Sequence, residues 1–349
     1  MNFDLTEDQQ MLAQTVRDFA EKSSPVDRFR RLRDGDGPGW EASTWKEMGE
    51  LGWLSVPFPE SVGGFGGSFA DVALVLEQLG RTLVPEPYLA SVVLGGMSVL
   101  TAGNAEQHSR FLSPLIAGDA TLALAYLEPG GRYAIEARQT RARAAGAGYT
   151  LEGEKRWVLG GHAADHLVVS ADTGGGTSLF VVDREAPGVE IHTVRTLDGH
   201  RSAMVRFDGV AVERDRLLGQ EGSGAAVLER VVDWGAAAAV AEGLGICQAA
   251  LDMTVDYLKT REQFGVKIGV FQALQHRAVD MFVETELLRS IATEAMVAVD
   301  SEDAAERQGA VSAAKVQLDV GARWVLQECI QLHGGIGVTD EADVGLFFK

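Results

Sequence analysis

Residues 235–251 read GAAAAVAEGLGICQAAL and continue directly into DMTVDYLKTREQFG at 252–265. The first seventeen residues carry a single charge, Glu242, in a run of Ala, Gly, Val, Leu and Ile. Beyond it Met, Val, Tyr and Leu recur every three or four residues, so the stretch predicts a long helix buried through much of its length. A charged carboxylate in such a helix costs several kcal/mol unless it finds a donor or raises its pKa. Glu242 therefore has the profile of a general base, with pairing to an arginine on a neighbouring helix as the structural alternative. Asp233 and Glu229, flanked by other charges, are weaker candidates for the same role.

Working outward, 349 residues are enough to bury a large core and to hold two or three subdomains. Hydrophobic residues make up 46% and charged residues 23%, an ordinary balance for a globular chain. Lys and Arg number 31 against 50 Asp and Glu, a net charge of −19. That balance argues against non-specific nucleic-acid binding and against adhesion to anionic membranes, while leaving local basic groups free to meet an anionic cofactor. Cys247 and Cys329 each sit in an apolar helical context and read as buried thiols rather than as a disulfide. The seven histidines show no metal-ligand spacing, so no metal is expected. No eighteen-residue apolar span is expected, and the opening MNFDLTEDQQ lacks the basic-then-apolar pattern of a signal peptide. A cytoplasmic protein with no membrane segment follows from these readings.

Three regions succeed one another. Residues 1–118 read as a helical domain: Thr6 and Gln9 resemble a capping box, and Met11, Leu12, Val16 and Phe19 follow at helical spacing. A Gly/Pro-rich break at 34–40 precedes STWKEMGELGWLSV, and FADVALVLEQLGRTL from 69 is amphipathic. Residues 119–220 switch to short β-rich runs, TLALAYLE, GYTLEGEKRWVLG, HLVVSAD, TSLFVVDR, VEIHTVRTL and AMVRFDGVAV, parted by Gly, Asp and Pro turns. They predict a small antiparallel barrel or sandwich. Residues 221–349 return to helix over 224–262, 270–300 and 303–332, a C-terminal helical bundle. The whole is an α+β chain.

Two motifs complete the C-terminal region: REQFGVKIGVFQALQH at 261–276 and QLHGGIGVTDE at 331–341. Together with the helical, β, helical order they resemble the acyl-CoA dehydrogenase family across essentially the whole chain. The resemblance implies FAD, an acyl-CoA thioester substrate and removal of hydrogen from Cα and Cβ. It also implies delivery of electrons to an electron-transfer flavoprotein. Residue chemistry is compatible with a dinucleotide: the Arg261 guanidinium can take phosphate oxygens bidentately, and backbone N–H groups around Gly334 and Gly335 add donors. Phe264 can pack on adenine or ribose, and Gln263, Gln272 and Gln331 offer amide groups. In the family these positions reach a FAD held mainly by a neighbouring subunit, which implies an oligomer. The structural alternative is that Arg261 caps a helix, Phe264 is core and Gly334–Gly335 ends a helix.

The β region departs from the family pattern. Leu127-Glu128-Pro129 and Gly131-Arg132-Tyr133 stand where members usually read Thr-Glu-Pro and Gly-Ser-Asp, and Trp157-Val158-Leu159 stands where they read Trp-Ile-Thr. At Leu127 and Leu159 the flavin would receive backbone contacts only, while Trp157 could still stack near it, although a Trp at a strand end is more often simple core. Motifs lent to a neighbour are kept and those holding the chain's own flavin are altered. This leaves open a homo-oligomer or an α/β heteromer with fewer flavins than subunits. The chain ends at Lys349, before the Glu-Gly-Thr segment that carries the base in many members. Another group places the base at the column aligned with Gly235, so Glu242, two helical turns further on, is the expected base. The implied reaction is removal of the α-proton by Glu242 with transfer of the β-hydride to flavin N5. An oxidase or monooxygenase on the same fold, or a non-catalytic subunit, are the rivals. His276 and His333 are expected to be hydrogen-bonded helix residues.

Overall fold

The computed structural model describes residues 4–349; the opening MNF of the segment read above for a signal lies outside them. Chain entry follows the capping prediction. Thr6 accepts a hydrogen bond from the Gln9 N–H while the Gln9 side chain accepts from the Thr6 N–H, starting helix α1, Glu7–Ser23. Val16 and Phe19 are buried on its inner face, whereas Met11 is exposed. Further helices are α2 Val26–Asp34, α3 Ala42–Glu50, α4 Phe69–Gly80, α5 Met97–Ala102, α6 Ala105–Gln107 and α7 Ser113–Ile116. A π-helical segment, Leu89–Gly96, runs directly into α5. After the strands come α8 Gly224–Thr260, α9 Gln272–Ala298, α10 Ala304–Gln317, α11 Arg323–His333 and α12 Val344–Phe348. The helix expected over 303–332 is interrupted by one π-helical turn, Leu318–Ala322, and then resumes as α11.

Contacts divide the chain into two units: residues up to Asp34 with Phe69–Val84 and Ala236–Lys349, and Gly35–Ser68 with Pro85–Gly235. In the first unit α4 crosses α8 at a pair of glycines. A Cβ on Gly80 would collide with the Glu242 carbonyl, and one on Gly245 with the Glu77 carbonyl. Backbone therefore meets backbone, and no side chain larger than hydrogen fits. Around that crossing Arg289 of α9 donates to the Glu77 carboxylate at 3.0 Å and to the Gln248 amide oxygen at 2.8 Å. Arg81 adds an ion pair with Asp252 at 2.9 Å.

Helix α8 also corrects one expectation. Its composition gives an eighteen-residue window of mean hydropathy 1.2, long and apolar enough to cross a membrane by those measures alone. The Glu242 and Gly residues that break up the run by eye do not lower its average enough. Here Leu244, Cys247, Ala250 and Leu251 are buried in the helical packing. Both cysteines are free and buried. Burial pushes the thiol of Cys247 up to about 12 and that of Cys329 up to about 11.

In the second unit all six predicted β runs form strands. They are β1 Leu122–Ala125, β3 Gly148–Leu159, β4 His166–Asp172, β5 Thr177–Asp183, β6 Val189–Arg195 and β7 Arg201–Glu213. A seventh, β2 Arg141–Ala145, reads RARAA and escaped the β pattern because its propensity is poor; its hairpin with β3 supplies the pairing. With β8, Leu217–Leu218, the order is β6-β7-β3-β2-β4-β5-β8, with β1 pairing β4. Most pairings are antiparallel as expected, but β1 and β2 both run parallel to β4. Tyr149, Leu151, Leu167, Val169, Phe180, Val205, Phe207 and Val210 fill the core beneath this sheet. Replacing Gly245 with Ala is expected to lower the unfolding midpoint, costing about 1–3 kcal/mol by overpacking, and thermal denaturation of the two proteins side by side checks it.

Candidate functional site

Helix α8 ends where the REQFG motif begins. The Arg261 N–H donates to the Tyr257 carbonyl at 2.8 Å, closing the last turn through its backbone and leaving the guanidinium exposed. Strands β9, Glu262–Gln263, and β10, Val266–Lys267, then pair with Gln263 opposite Val266. Phe264 and Gly265 are thus the two residues of a hairpin turn, with φ of 56° and 78°. Turns of this kind favour Asn-Gly, and a residue with a Cβ pays about 1–2 kcal/mol to enter the left-handed region. Phe264 is nevertheless 92% exposed, its ring meeting Phe271 edge-on at 6.1 Å. It is not a core residue. A strained turn that displays an aromatic ring is the kind of local cost that binding sites carry.

Gln272 opens α9, and its preceding residue, Phe271, makes no side-chain cap bond. The Leu274 and Gln275 N–H groups donate to the Phe271 carbonyl at 2.9 and 3.1 Å, the N–H groups of Gln272 and Ala273 receive no side-chain cap, and no acidic residue occupies that turn. Gln331 is exposed on α11, whose end is closed by the Gly334 N–H donating to the Gln331 carbonyl. Gly334 needs its φ of 67°, and a Cβ on either Gly334 or Gly335 would meet nothing within 4 Å. The space beside Gly265, Gly334 and Gly335 is therefore open. His333 is buried, with Nδ1 2.7 Å from the Cys329 carbonyl and its ring stacked on Tyr257 at 4.5 Å. It is a structural histidine, as expected. Beyond it, Arg30 and Arg33 of α2 hold Asp340 and Asp343, and the Arg33 hydrogen bond brings the Asp340 carboxyl down to about 2.

Glu242 is half-buried near the middle of α8, between buried Ala241 and Leu244, with its carbonyl at the Gly80 crossing. Glu229 and Asp233 are half-buried on the earlier part of that helix, in the other unit. At Gly235 a Cβ would come within 2.5 Å of a Leu94 methyl. The Leu94 side chain packs over this glycine, which carries no carboxylate.

The β residues lie in the second unit. The Leu127 carbonyl accepts from the Arg156 N–H at 2.9 Å, so its backbone is engaged with β3. Trp157 has φ of 53° at a register shift between Lys155 and Val158, and it is 53% exposed; Leu159 is also exposed. The bulge shifts the alternation by one residue, so that Val158 turns into the core and Trp157 and Leu159 on either side of it turn out. Trp157 is not a core residue either.

Sequence reading missed what lies between them. Lys155 is fully buried, and its ammonium donates to Glu128 Oε1 at 2.9 Å, Ser170 Oγ at 2.9 Å and the Tyr126 carbonyl at 3.3 Å. Glu128 also accepts from the N–H groups of Arg138, Gln139 and Thr140 at 2.8–2.9 Å. A signal was present: strict alternation from Tyr149 and Leu151 places Lys155 on the inward face of β3. Burial pulls the Lys155 ammonium down to about 8 against the opposing pull of Glu128. For Glu128 burial acts upward, and Lys155 with the backbone donors outweighs it, bringing the carboxyl down to about 2.

Three family models, the acyl-CoA dehydrogenase N-terminal, middle and C-terminal domains, match residues 6–119, 123–210 and 222–349. The chain is 33% identical to the probable acyl-CoA dehydrogenase YngJ of Bacillus subtilis over 99% of its length and 92% of that protein. The ChsE4–ChsE5 complex of Mycobacterium tuberculosis is similar in structure, with a TM-score of 0.90, 28% identity and coverage of 100% of this chain and 92% of that one. So is a chain from the structure titled electron transferring flavoprotein of Acidaminococcus fermentans, with a TM-score of 0.90, 30% identity and coverage of 100% and 93%. The helical, sheet, helical order over the whole chain is that of the three matched domains, which places it among flavin-dependent oxidoreductases. The chain belongs to the acyl-CoA dehydrogenase family, whose members are FAD-dependent oxidoreductases acting on acyl-CoA.

Because Glu128 titrates lower in the fold than its ordinary 4.5, its contribution to stability is complete above that pH. It is lost as pH falls from about 4.5 towards about 2. Melting temperature measured across that window is expected to fall more steeply for the native chain than for Glu128→Gln, which carries no titrating group there.

Proposed function

We propose that this chain removes hydrogen from Cα and Cβ of an acyl-CoA thioester, with Glu242 as the base. The observation that carries the cofactor assignment is the pair of exposed aromatic rings, Trp157 and Phe264, each held at positive φ where packing gives no reason for it. The residues fit FAD. Arg261, Gln263 and the uncapped start of α9 at Gln272 would take pyrophosphate, while Phe264 would cover adenine or ribose and Gln331 with Gly334 and Gly335 would supply polar contacts. Trp157 would stack beside the ring system, and Leu127 and Leu159 would offer it backbone groups only. When bound, FAD supplies the acceptor for the β-hydride.

The protein's part is to bind, orient and move the proton. Glu242 would take the α-proton into its carboxylate from a half-buried position on α8 between buried Ala241 and Leu244. Hydrogen bonds to the thioester carbonyl would stabilise the charge that develops at Cα.

An oligomer fits the same surface. Val279, Phe282, Val283 and Leu287 recur on one exposed face of α9, a larger apolar stripe than isolated surface residues make. A second chain covering such faces would bring a complementary half of each cofactor site, as either a homo-oligomer or an α/β heteromer. The electron acceptor is an electron-transfer flavoprotein and the location cytoplasmic, with domains over 1–118, 119–220 and 221–349.

The purified chain is expected to be yellow, with about one FAD per subunit, and its flavin band to bleach on adding acyl-CoA thioesters. Glu242→Gln is expected to slow that bleaching by about 100-fold or more, the usual weight of a general base; unchanged bleaching would remove Glu242 from the role. A colourless chain that gains FAD only with a co-expressed partner would favour the heteromer, and oxygen consumption with substrate would favour an oxidase. Arg261→Ala is expected to weaken FAD binding by roughly 10- to 100-fold, one charge-assisted contact, as read by fluorescence titration.

A further inference from the structure

Outside the residues assigned above, the most completely built polar cluster is the one around Lys155. An isolated buried ammonium is unfavourable, so its presence calls for a return in structure. The cluster has one: the Glu128 carboxylate gathers the N–H groups of Arg138, Gln139 and Thr140, and so closes the neck of the segment between Glu128 and Arg138. That segment carries Arg132 at φ 51° and Tyr133 at 97% exposure, with local turns from Gly131 to Glu128 and Ala134 to Gly131 inside it, and it is tied to β5 near its end by the Ala137 N–H donating to Thr177 Oγ1 at 3.1 Å. The Gln139 side chain adds a bond to the Pro129 carbonyl at 2.7 Å across the same neck.

Both ends of the clasp border the cofactor candidates. Leu127 is adjacent to Glu128, and Trp157 is two residues from Lys155. The hydrogen bond from the Arg156 N–H to the Leu127 carbonyl, at 2.9 Å, ties the stretch that follows β1 to β3 beside the ion pair. The Lys155 ammonium thus joins the stretch leaving β1, through the Tyr126 carbonyl and Glu128, to the part of β3 that enters the Trp157 bulge.

We propose that Lys155 and Glu128 are positioning residues for the flavin, setting the register of Leu127 and Trp157 and closing the 129–137 segment over its neck. This inference rests on the proposed function, because it takes Leu127 and Trp157 as flavin neighbours. Neither residue touches the cofactor; each acts through the strand or loop it holds. Ser170 has a smaller part, as one of the three acceptors of the ammonium.

The test compares the native holoprotein with Lys155→Met and the milder Ser170→Ala. Three quantities are read: the FAD dissociation constant, the shape of the flavin absorption band, and hydrogen exchange of the amides at 138–140. Lys155→Met is expected to raise the FAD constant by about tenfold or more, the scale of one charge-assisted contact, to broaden the resolved flavin band, and to release protection at 138–140. Ser170→Ala is expected to show the same changes at a few-fold scale, so the inference stands even where Lys155→Met does not fold. A purely structural role would lower the melting temperature in both variants while leaving FAD affinity and band unchanged, and that result would overturn the proposal. If the native chain takes up no FAD even with partner present, the functional reading fails and this one with it. Normal uptake by the native chain with unaltered variants defeats the positioning role alone.

Discussion

Helix α8 can be buried only because α4 approaches it at backbone distance. Gly80 and Gly245 remove two side chains from the crossing, so each helix presents carbonyl oxygen to the other's Cα. That contact fixes the height of Glu242 in the first unit, since its own carbonyl forms part of the crossing. Arg81 and Arg289 then tie α4 to α8 and α9 through Asp252, Glu77 and Gln248. A long apolar helix that by composition would suit a bilayer instead has its inner face spent on protein packing.

The second unit solves a related problem by opposite means. Its core is apolar, yet one lysine is buried in it without loss of structure because every strong donor and acceptor in the cluster is matched. Glu128 serves four donors at once, and three of them are backbone N–H groups that a loop would otherwise leave to water. The result is a rigid neck beside a segment whose tip is exposed. Rigidity next to exposure is what a ligand-facing loop requires.

Two of the strained backbone positions are residues proposed to meet the cofactor. Among the described residues four non-glycine residues have positive φ, and Arg132, Trp157 and Phe264 are three of them. The Phe264 turn uses a bulky residue where Asn would be easier, and the Trp157 bulge exposes a ring that strand alternation would have hidden. Neither choice improves packing within the chain. Both make sense if the rings are to be covered by something else, and the apolar stripe on α9 points the same way.

Much of this was legible in the residues themselves. Alternation and turn residues located six strands, capping chemistry started α1, and the paired motifs at 261–276 and 331–341 identified the family. Local chemistry sufficed because these features depend on neighbours within a few positions. The parallel pairing of β1 and β2 with β4 was not legible, since strand order depends on long-range closure and RARAA has no β signature of its own. Nor was the exposure of Phe264 and Trp157, which composition alone assigns to a core. The sequence by itself determined the helical, sheet, helical order and the cofactor-type motifs. Only the tertiary structure decided that Leu94 packs over Gly235, that Glu242 stands at a glycine crossing, and that Lys155 and Glu128 meet at all, because each requires segments distant in sequence to approach within a few ångströms.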